Sequence, residues 1–232
     1  MNQLVEYKPD CNAKRWVGYF DLSGIRKLMT DKGGHFAVFE AYSKAIEEAK
    51  KHCKLFPAMS HVCFSDSFIF YTIDESIESF GAISEVAYYF ICNLIAARFP
   101  VCGAIACGSF YADNSNKLFF GKALIEAYDY EEAQGWTNYI LCPSTVSRLK
   151  ELQFHFGRLN YALAMIPYKD TCQTKKKATL EKQLPACVVG QRSGNDSHLT
   201  ILEDMKNHAE NEHIAGRYAK VIEFIKINQN KG

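Results

Sequence analysis

Several features that mark common protein classes are missing from this sequence of 232 residues. The formal net charge is only +1 and the one dense basic run is Lys175–Lys177, so a nucleic-acid partner has no support. The longest apolar stretch, 86–99, is shorter than the ~20 residues that cross a bilayer, which predicts a buried helix and no membrane partner. The sequence also contains no Walker-type phosphate loop, internal repeat or low-complexity tract.

Cysteine is plentiful but lacks the spacing of a structural metal site. None of the nine cysteines belongs to a Cys-x-x-Cys pair, and residues 1–10 lack the apolar core of a signal peptide. We therefore expect reduced thiols and a cytoplasmic protein. A zinc site would need scattered ligands, and ordinary core or edge packing also accounts for the candidates: His52, Cys53, His61 and Cys63.

Two apolar runs of the chain each hold one isolated aspartate. Asp21 lies within Val17–Gly24, and Asp66 lies within Cys63–Phe70. An ionised carboxylate in an apolar strand is costly unless a positive group lies against it, and neither run contains Lys or Arg. Taken singly, Asp21 is explained as a helix N-cap and Asp66 as a turn residue.

The periodicity of the chain predicts the order β-α-β-β-α-β. This order is that of an α+β, ferredoxin-like βαββαβ unit, a sheet with helices on one face. In such a sheet the end of the first strand lies beside the turn between the next two strands, so Asp21 and Asp66 can meet. The predicted elements are Trp16–Phe20, Phe36–His52, His61–Phe64, Phe68–Thr72, Val86–Phe99 and Val101–Cys107, followed by a hairpin over Phe110–Phe120.

Two carboxylates that meet repel each other, so either one keeps a proton or a metal ion neutralises both. Oxygen ligands favour Mg²⁺ or Mn²⁺, which proteins hold with one or two carboxylates plus substrate phosphates. The small residues of Leu22–Gly24 would leave backbone N–H groups exposed at a helix start, where phosphate oxygens are favoured. A metal pair beside a phosphate cradle indicates nucleotide chemistry.

These residues resemble a known family, the class III nucleotidyl cyclases. Phe20-Asp-Leu-Ser-Gly-Ile25 looks like the first metal motif of that family, and Ser65-Asp66 occupies the place of its Gly-Asp turn. The segments Gly103–Gly108 and Leu118–Glu131 are similar to the strand, hairpin and helix that follow. Within the family, the amino-acid sequence of these segments is most similar to that of the stand-alone bacterial cyclases of the Pycsar anti-phage systems, which make cyclic UMP or cyclic CMP.

The resemblance spans roughly residues 16–170 and implies a class III cyclase domain with C-terminal helices. The catalytic domain would cover 1–190 and a helical extension 191–232. The implied reaction converts a pyrimidine nucleoside triphosphate, UTP or CTP, to the 3′,5′-cyclic monophosphate plus pyrophosphate. The two predicted tail helices, 197–208 and 214–227, suggest no separate chemistry.

Site residues are carried over from the family motifs. Asp21 and Asp66 would be the catalytic residues and would hold two Mg²⁺ or Mn²⁺ ions per site, with the carbonyl of Leu22 as a further metal ligand. Lys169 is the first choice for the cation that faces the leaving pyrophosphate. The second choices are Arg15 and the Lys175–Lys177 run. The implied nucleotide-binding residues are Leu22, Ser23, Gly24, Ile25, Ser65 and Lys169.

The sequence departs from the family at the residues that read the base. Val62 and Leu118 stand where purine-reading members place a lysine and an aspartate, and Ile125 and Asp129 where the transition-state asparagine and arginine fall. Cys102 stands where Pycsar-like members carry an arginine. These changes are compatible with a pocket rebuilt for a pyrimidine. They leave open a non-catalytic nucleotide sensor, a purine (ATP or GTP) cyclase and a purely structural partner.

Class III sites lie between two head-to-tail domains, so the resemblance implies a symmetric homodimer with its sites at the interface. Phe119, Phe120 and Tyr128 form the apolar face that we assign to this interface, although core packing accounts for them equally well. A cyclic pyrimidine nucleotide also implies a separate effector protein that senses it.

Overall fold

Strand β1 (Lys14–Leu22) lies at the centre of the fold in the computed structural model, which describes residues 12–22, 34–53, 59–155, 163–165, 185–187 and 197–229. The strands that follow are β2 (Met59–Phe64), β3 (Ser67–Thr72), β4 (Val101–Ser109), β5 (Tyr111–Asp113), β6 (Leu118–Phe120), β7 (Tyr139–Leu141), β8 (Leu163–Met165) and β9 (Pro185–Cys187). The described helices are α1 (Gly34–His52), α2 (Ile77–Ala96), α3 (Lys122–Gln134), α4 (Pro143–Glu151), α5 (Ser197–Asn207) and α6 (Glu212–Gln229).

The predicted order β-α-β-β-α-β is confirmed by the elements from β1 to β4. In the described residues the main sheet has the strand order β2-β3-β1-β4-β7-β9-β8. Strand β1 is antiparallel to both of its neighbours, whereas β7 runs parallel to β4. The predicted hairpin is formed by β5 and β6, which pair as a separate two-stranded sheet.

Side chains of β1 alternate between the two faces of the sheet. Phe20 packs against Phe90 of α2, with ring centroids 5.9 Å apart, while Tyr19 contacts Tyr128 of α3 at 5.4 Å. The two helices of the predicted βαββαβ unit, α1 and α2, pack against each other, whereas α3 follows that unit in the chain and lies on the other face of the sheet. The parallel strands β4 and β7 need a crossover connection, and this connection carries α3 over the face opposite to α2. By the same alternation, Asp21 lies on the α3 face.

Helix α2 fills much of the core. It is long and apolar enough to cross a membrane, yet 72% of its apolar window is buried inside the structure. The predicted buried helix is confirmed, and it begins earlier than expected, at Ile77, because the side chain of Ser76 accepts a hydrogen bond from the N–H of Ser79. Phe80 of α2 packs against Trp16 of β1 with ring centroids 5.1 Å apart.

Asp74 holds the first turn of α2 in place. Its Oδ1 accepts hydrogen bonds from the hydroxyl of Ser79 at 2.5 Å, from the hydroxyl of Ser76 at 2.7 Å and from the N–H of Ser76 at 3.0 Å. We expect Asp74→Ala to lower the free energy of unfolding by about 1–2 kcal/mol at pH 7, measured by urea denaturation.

The contribution of Asp74 should depend on pH. The hydrogen bonds from Ser79 and Ser76 hold the pKa of Asp74 below its usual value. A depressed pKa in the folded state stabilises the protein above the unfolded pKa, and this stabilisation is lost as pH falls through the folded pKa. The gap between the wild type and Asp74→Ala should therefore shrink in acid. A gap that stays constant down to pH 2 would contradict this role.

Helices α5 and α6 pack onto the rest of the structure rather than standing apart. A ring nitrogen of His198 lies 3.0 Å from the carbonyl oxygen of Cys92 on α2. The ring of Trp136 meets Phe224 of α6 edge-on, with centroids 5.1 Å apart. Both predicted tail helices are confirmed, while the domain boundary between residues 190 and 191 stays a prediction.

Candidate functional site

The end of β1 lies against the turn between β2 and β3. Asp21 is opposite Ser67 in the antiparallel register, and the N–H of Leu22 donates to the main-chain carbonyl of Asp66 at 3.1 Å. The hydroxyl of Ser67 donates to Oδ1 of Asp21 at 2.9 Å. The structure thus brings the two aspartates of the sequence pattern together. Their role as metal ligands stays a prediction.

The tightness of the β2–β3 turn explains this close approach. Phe64 and Ser67 pair across the strands, so only two residues connect them, and Ser65 adopts a left-handed φ of 58°. Two-residue hairpin loops need such a positive φ to match the twist of their strands. Ser65 is exposed at the tip of the turn, and its predicted contact with nucleotide is not tested by this geometry.

The electrostatic setting of Asp21 disfavours its charge. Burial is the largest cause that raises the pKa of Asp21, and the nearby charge of Asp66 raises it further. The hydrogen bond from Ser67 and the charge of Arg217 act in the opposite direction. A carboxylate in this setting gains stability when a cation approaches, which is what a metal ligand requires.

A cavity of about 450 Å³ opens beside Asp21, between β1, α3 and α6. This volume falls within the range of roughly 300–1,000 Å³ that is common for small-molecule sites. Burial raises the pKa of Glu131 to about 8, and the charge of Asp21 adds to the effect. Burial thus favours the neutral form of Glu131, which carries an O–H donor. Residues lining the cavity include Tyr19, Asp21, Tyr128, Glu131, His213 and Arg217.

Four of these cavity residues are not among the residues predicted from the sequence: Tyr19, Glu131, His213 and Arg217. Arg217 lies on α6, four residues before the buried Val221, so helical spacing places it on the inward face. Its Nη2 donates to the sulfur of Cys102 at 2.7 Å, and the thiol of Cys102 donates in turn to a main-chain carbonyl. In the sequence, Arg217 is a positively charged residue at helical spacing from the apolar residues of α6. This pattern would have indicated that its side chain faces the interior of the protein.

The alternative cation Arg15 is not near the site. Six residues separate Arg15 from Asp21 along β1, which corresponds to about 20 Å at roughly 3.3 Å per residue. Nη1 of Arg15 instead donates to the carbonyl of Thr72 at 3.1 Å. The other residues predicted to bind nucleotide lie outside the described residues, and their roles stay predictions: Ser23, Gly24, Ile25, Lys169 and Lys175–Lys177.

The donor set at the site suits a hard divalent cation. Asp21 and Asp66 supply carboxylate oxygens, and within the described ranges neither forms an ion pair with a lysine or arginine. Mg²⁺ and Mn²⁺ are commonly held by one or two carboxylates completed by substrate phosphates, so two carboxylates are a sufficient protein contribution. Over the same ranges no group of three or more His, Cys, Asp or Glu side chains is placed to hold a metal.

Comparison with known proteins reveals structural likeness without sequence likeness. No protein-family model matches the chain, and no curated protein matches it. The catalytic core of a rhodopsin-guanylyl cyclase with converted specificity, in complex with ATPalphaS, superposes with a TM-score of 0.54 at 13% identity and covers 76% of this chain and 96% of its own.

Two further structures agree with this result. The guanylate cyclase domain of RhGC from Catenaria anguillulae, in complex with GTP, has a TM-score of 0.50 at 11% identity and covers 76% of this chain and 95% of its own. A non-canonical dimeric guanylyl cyclase domain of the RhoGC fusion protein from the aquatic fungus Blastocladiella emersonii has a TM-score of 0.50 at 10% identity and covers 76% of this chain and 94% of its own. The chain therefore has the fold of the class III nucleotidyl cyclase domain.

Proposed function

We propose that the protein is a nucleotidyl cyclase that converts UTP or CTP to the 3′,5′-cyclic monophosphate and pyrophosphate. The observation that carries this proposal is the adjacency of Asp21 and Asp66 on a cyclase fold, where β1 ends against the β2–β3 turn. The cavity of about 450 Å³ beside Asp21 supports it, because a nucleotide needs a space of this size.

In the proposed reaction the ribose O3′ forms a bond to the α-phosphorus, and the bond from that phosphorus to the pyrophosphate oxygen breaks. The hydroxyl proton leaves to solvent. Mg²⁺ or Mn²⁺, when bound, would stabilise the charge on the attacking oxygen and on the leaving pyrophosphate. Asp21 and Asp66 would hold two ions, with the carbonyl of Leu22 as a further ligand. Ser67 fixes the orientation of the Asp21 carboxylate by its hydrogen bond.

The pyrimidine preference is supported by the residues at the base-reading positions. Val62 is half-buried on β2, and Leu118 is 51% exposed on β6. Neither side chain can form the hydrogen bonds with which a lysine and an aspartate would read a purine. With the resemblance to Pycsar cyclases, this favours a cyclic pyrimidine product that acts as a second messenger in bacterial anti-phage defence and is sensed by a separate effector protein.

A non-catalytic nucleotide sensor is the second candidate. Ile125 is 60% exposed on α3 and offers no polar group at the position of a transition-state asparagine. A sensor would bind nucleotide in the cavity without turning it over.

The product assay decides among these functions. The protein is incubated separately with ATP, GTP, CTP and UTP in the presence of Mn²⁺, and products are identified by mass spectrometry. Cyclic UMP or cyclic CMP with an equal amount of pyrophosphate is the expected result, whereas a cyclic purine would keep the reaction and overturn the base preference. Binding without product would favour the sensor. If no nucleotide raises the melting temperature or yields product, both candidates fail.

The second subunit of the proposed homodimer would cover an apolar strip on the β5–β6 hairpin and α3. Phe120, Ile125 and Tyr128 are 51%, 60% and 40% exposed, an unusual density of large apolar side chains on a surface. Phe119, which we also assigned to the interface, is half-buried against Tyr71, with ring centroids 6.1 Å apart. The strip therefore consists of Phe120, Ile125 and Tyr128.

Phe120→Arg is expected to convert the dimer to a monomer, because the new charge would be buried at the interface without a partner. Sedimentation velocity measures the change. Phe39→Arg is the matched control, since Phe39 is 68% exposed on α1, which packs against α2 on the sheet face opposite to α3, and the change should leave the dimer intact. Dimers that persist in Phe120→Arg would place the interface elsewhere.

A further inference from the structure

We infer that Arg217 binds the phosphate chain of the nucleotide, an assignment that rests on the proposed function. Arg217 belongs to α6, in the C-terminal segment that showed no chemistry of its own in the sequence. It lines the same cavity as Asp21, so its guanidinium and the metal-binding carboxylate border one space. A helix outside the βαββαβ unit would thereby complete the site.

The described residues satisfy the guanidinium of Arg217 only in part. The group carries five N–H donors in a planar fork. Nη2 donates to the sulfur of Cys102 at 2.7 Å, whereas Nε is buried and has no hydrogen-bond partner in the described parts of the chain. A partly buried cation with unused donors is costly unless an anion satisfies it. The unsatisfied donors therefore indicate an anionic partner.

The carboxylates that share the cavity do not fill this role. Neither Asp21 nor Glu131 forms an ion pair with Arg217 in the described structure, and Asp21 is oriented by Ser67 instead. In the proposed reaction Asp21 is a metal ligand, which leaves the charge of Arg217 available for the substrate. The phosphate chain is the anionic part of a nucleoside triphosphate, so it is the part of the substrate that the positive charge of Arg217 would bind.

The surroundings of Arg217 fix the guanidinium without neutralising it. Cys102 is fully buried, and burial raises the pKa of its thiol to about 11, so the sulfur is a neutral anchor at pH 7. The contact between Trp136 and Phe224, two turns further along α6, holds the helix against the end of α3. A guanidinium that is held in place by one of its N–H groups can donate two parallel hydrogen bonds to phosphate oxygens.

The test compares binding of inorganic tripolyphosphate with binding of uridine and cytidine, which lack phosphate, at a fixed Mn²⁺ concentration by calorimetry. Arg217→Gln should weaken tripolyphosphate binding by about 10- to 100-fold, the range for a charged hydrogen-bonded contact. Binding of the nucleosides should not change. Lys226→Gln is the matched control, because it removes the same charge from the same helix at an exposed pair with Glu203, and it should bind tripolyphosphate as the wild type does.

Arg217→Lys keeps the charge but loses the fork, and it should bind tripolyphosphate with intermediate affinity, which also covers the case in which the glutamine variant does not fold. Equal tripolyphosphate affinity in Arg217→Gln and the wild type, or no binding by the wild type, would overturn the assignment. Failure of the proposed function is a separate result: no nucleotide yields a cyclic product, whatever the tripolyphosphate affinities are. A role of Arg217 in folding alone would lower the melting temperature and weaken nucleoside and tripolyphosphate binding alike.

Discussion

Asp21→Asn is expected to abolish cyclic-nucleotide formation while leaving the fold intact. The loss should be at least about 1,000-fold, since removing a single hydrogen-bond donor from an oxyanion site already costs about 100- to 1,000-fold and a metal ligand does more. The asparagine oxygen can still accept the hydrogen bond from Ser67, so the local geometry is preserved. Initial rates of pyrophosphate release, measured beside the wild type, give the ratio directly.

The same substitution should not destabilise the protein at neutral pH. Because burial raises the pKa of Asp21 in the folded state, the ionised side chain lowers stability as pH rises from the unfolded pKa through the folded pKa. Replacing it with a neutral amide removes that penalty above the folded pKa. The melting temperature of Asp21→Asn without metal should therefore equal or exceed that of the wild type, and Mn²⁺ should raise only the wild-type value.

Asp204→Asn is the matched control for this experiment. Asp204 is an exposed residue of α5 that pairs with Arg98, so its loss should cost less than about 1 kcal/mol and leave activity unchanged. Equal activity of Asp21→Asn and the wild type would show that Asp21 is not a metal ligand. Equal stabilisation of both proteins by Mn²⁺ would place the metal elsewhere.

The adjacency of Asp21 and Asp66 could be predicted because both residues lie in local patterns of fixed geometry. An apolar strand followed by a polar turn fixes where each aspartate falls, and the βαββαβ order fixes which strand ends are neighbours. The pairing of Asp21 with Ser67 confirms that reasoning. That reasoning needs only the order of the elements from β1 to β4.

The place of Arg217 at the site could not be predicted in this way: helical spacing indicates that it faces inward, but what it contacts depends on how α6 packs against the end of α3. The sequence separation between Arg217 and Cys102 is 115 residues, and no local pattern encodes a contact at that range. For Arg15, sequence proximity suggested a place near Asp21 that the structure does not show. Arg15 is close to Asp21 in sequence, but an extended strand places the two residues at opposite ends of the sheet.

The packing of Phe20 explains why the end of β1 is fixed. Its ring lies against the backbone of Gly103, its partner in register on β4, and a Cβ atom at Gly103 would lie 2.1 Å from Cδ1 of Phe20. The ring has no free space to move into, because it is fully buried and contacts Phe70, Phe90 and Tyr139 at centroid distances of 5.6, 5.9 and 6.1 Å.

Gly103→Ala is therefore expected to lower the free energy of unfolding by about 3 kcal/mol, the upper part of the usual range for overpacking. Gly81→Ala is the matched control. Apart from its chain neighbours and the nearby backbone of its own helix, nothing lies within 4 Å of a Cβ at Gly81, and the residue is inside α2, so the same chemical change should stabilise the protein by about 0.5–1 kcal/mol. Urea denaturation of both variants measures the difference in sign.

Combining Gly103→Ala with Phe20→Leu tests whether the ring itself causes the loss. Leucine keeps Cγ and Cδ1 but lacks the rigid ring and can turn its methyl groups away from the new methyl group, so the double variant should be more stable than the sum of the single changes predicts, with a coupling of about 1–3 kcal/mol. Because Phe20 precedes Asp21, a displaced ring would also move the carboxylate, and residual activity of folded Gly103→Ala should fall with stability. Additive free energies would mean that Phe20 does not clash with the new methyl group, and the position of Asp21 would then depend on Ser67 and the β2–β3 turn alone.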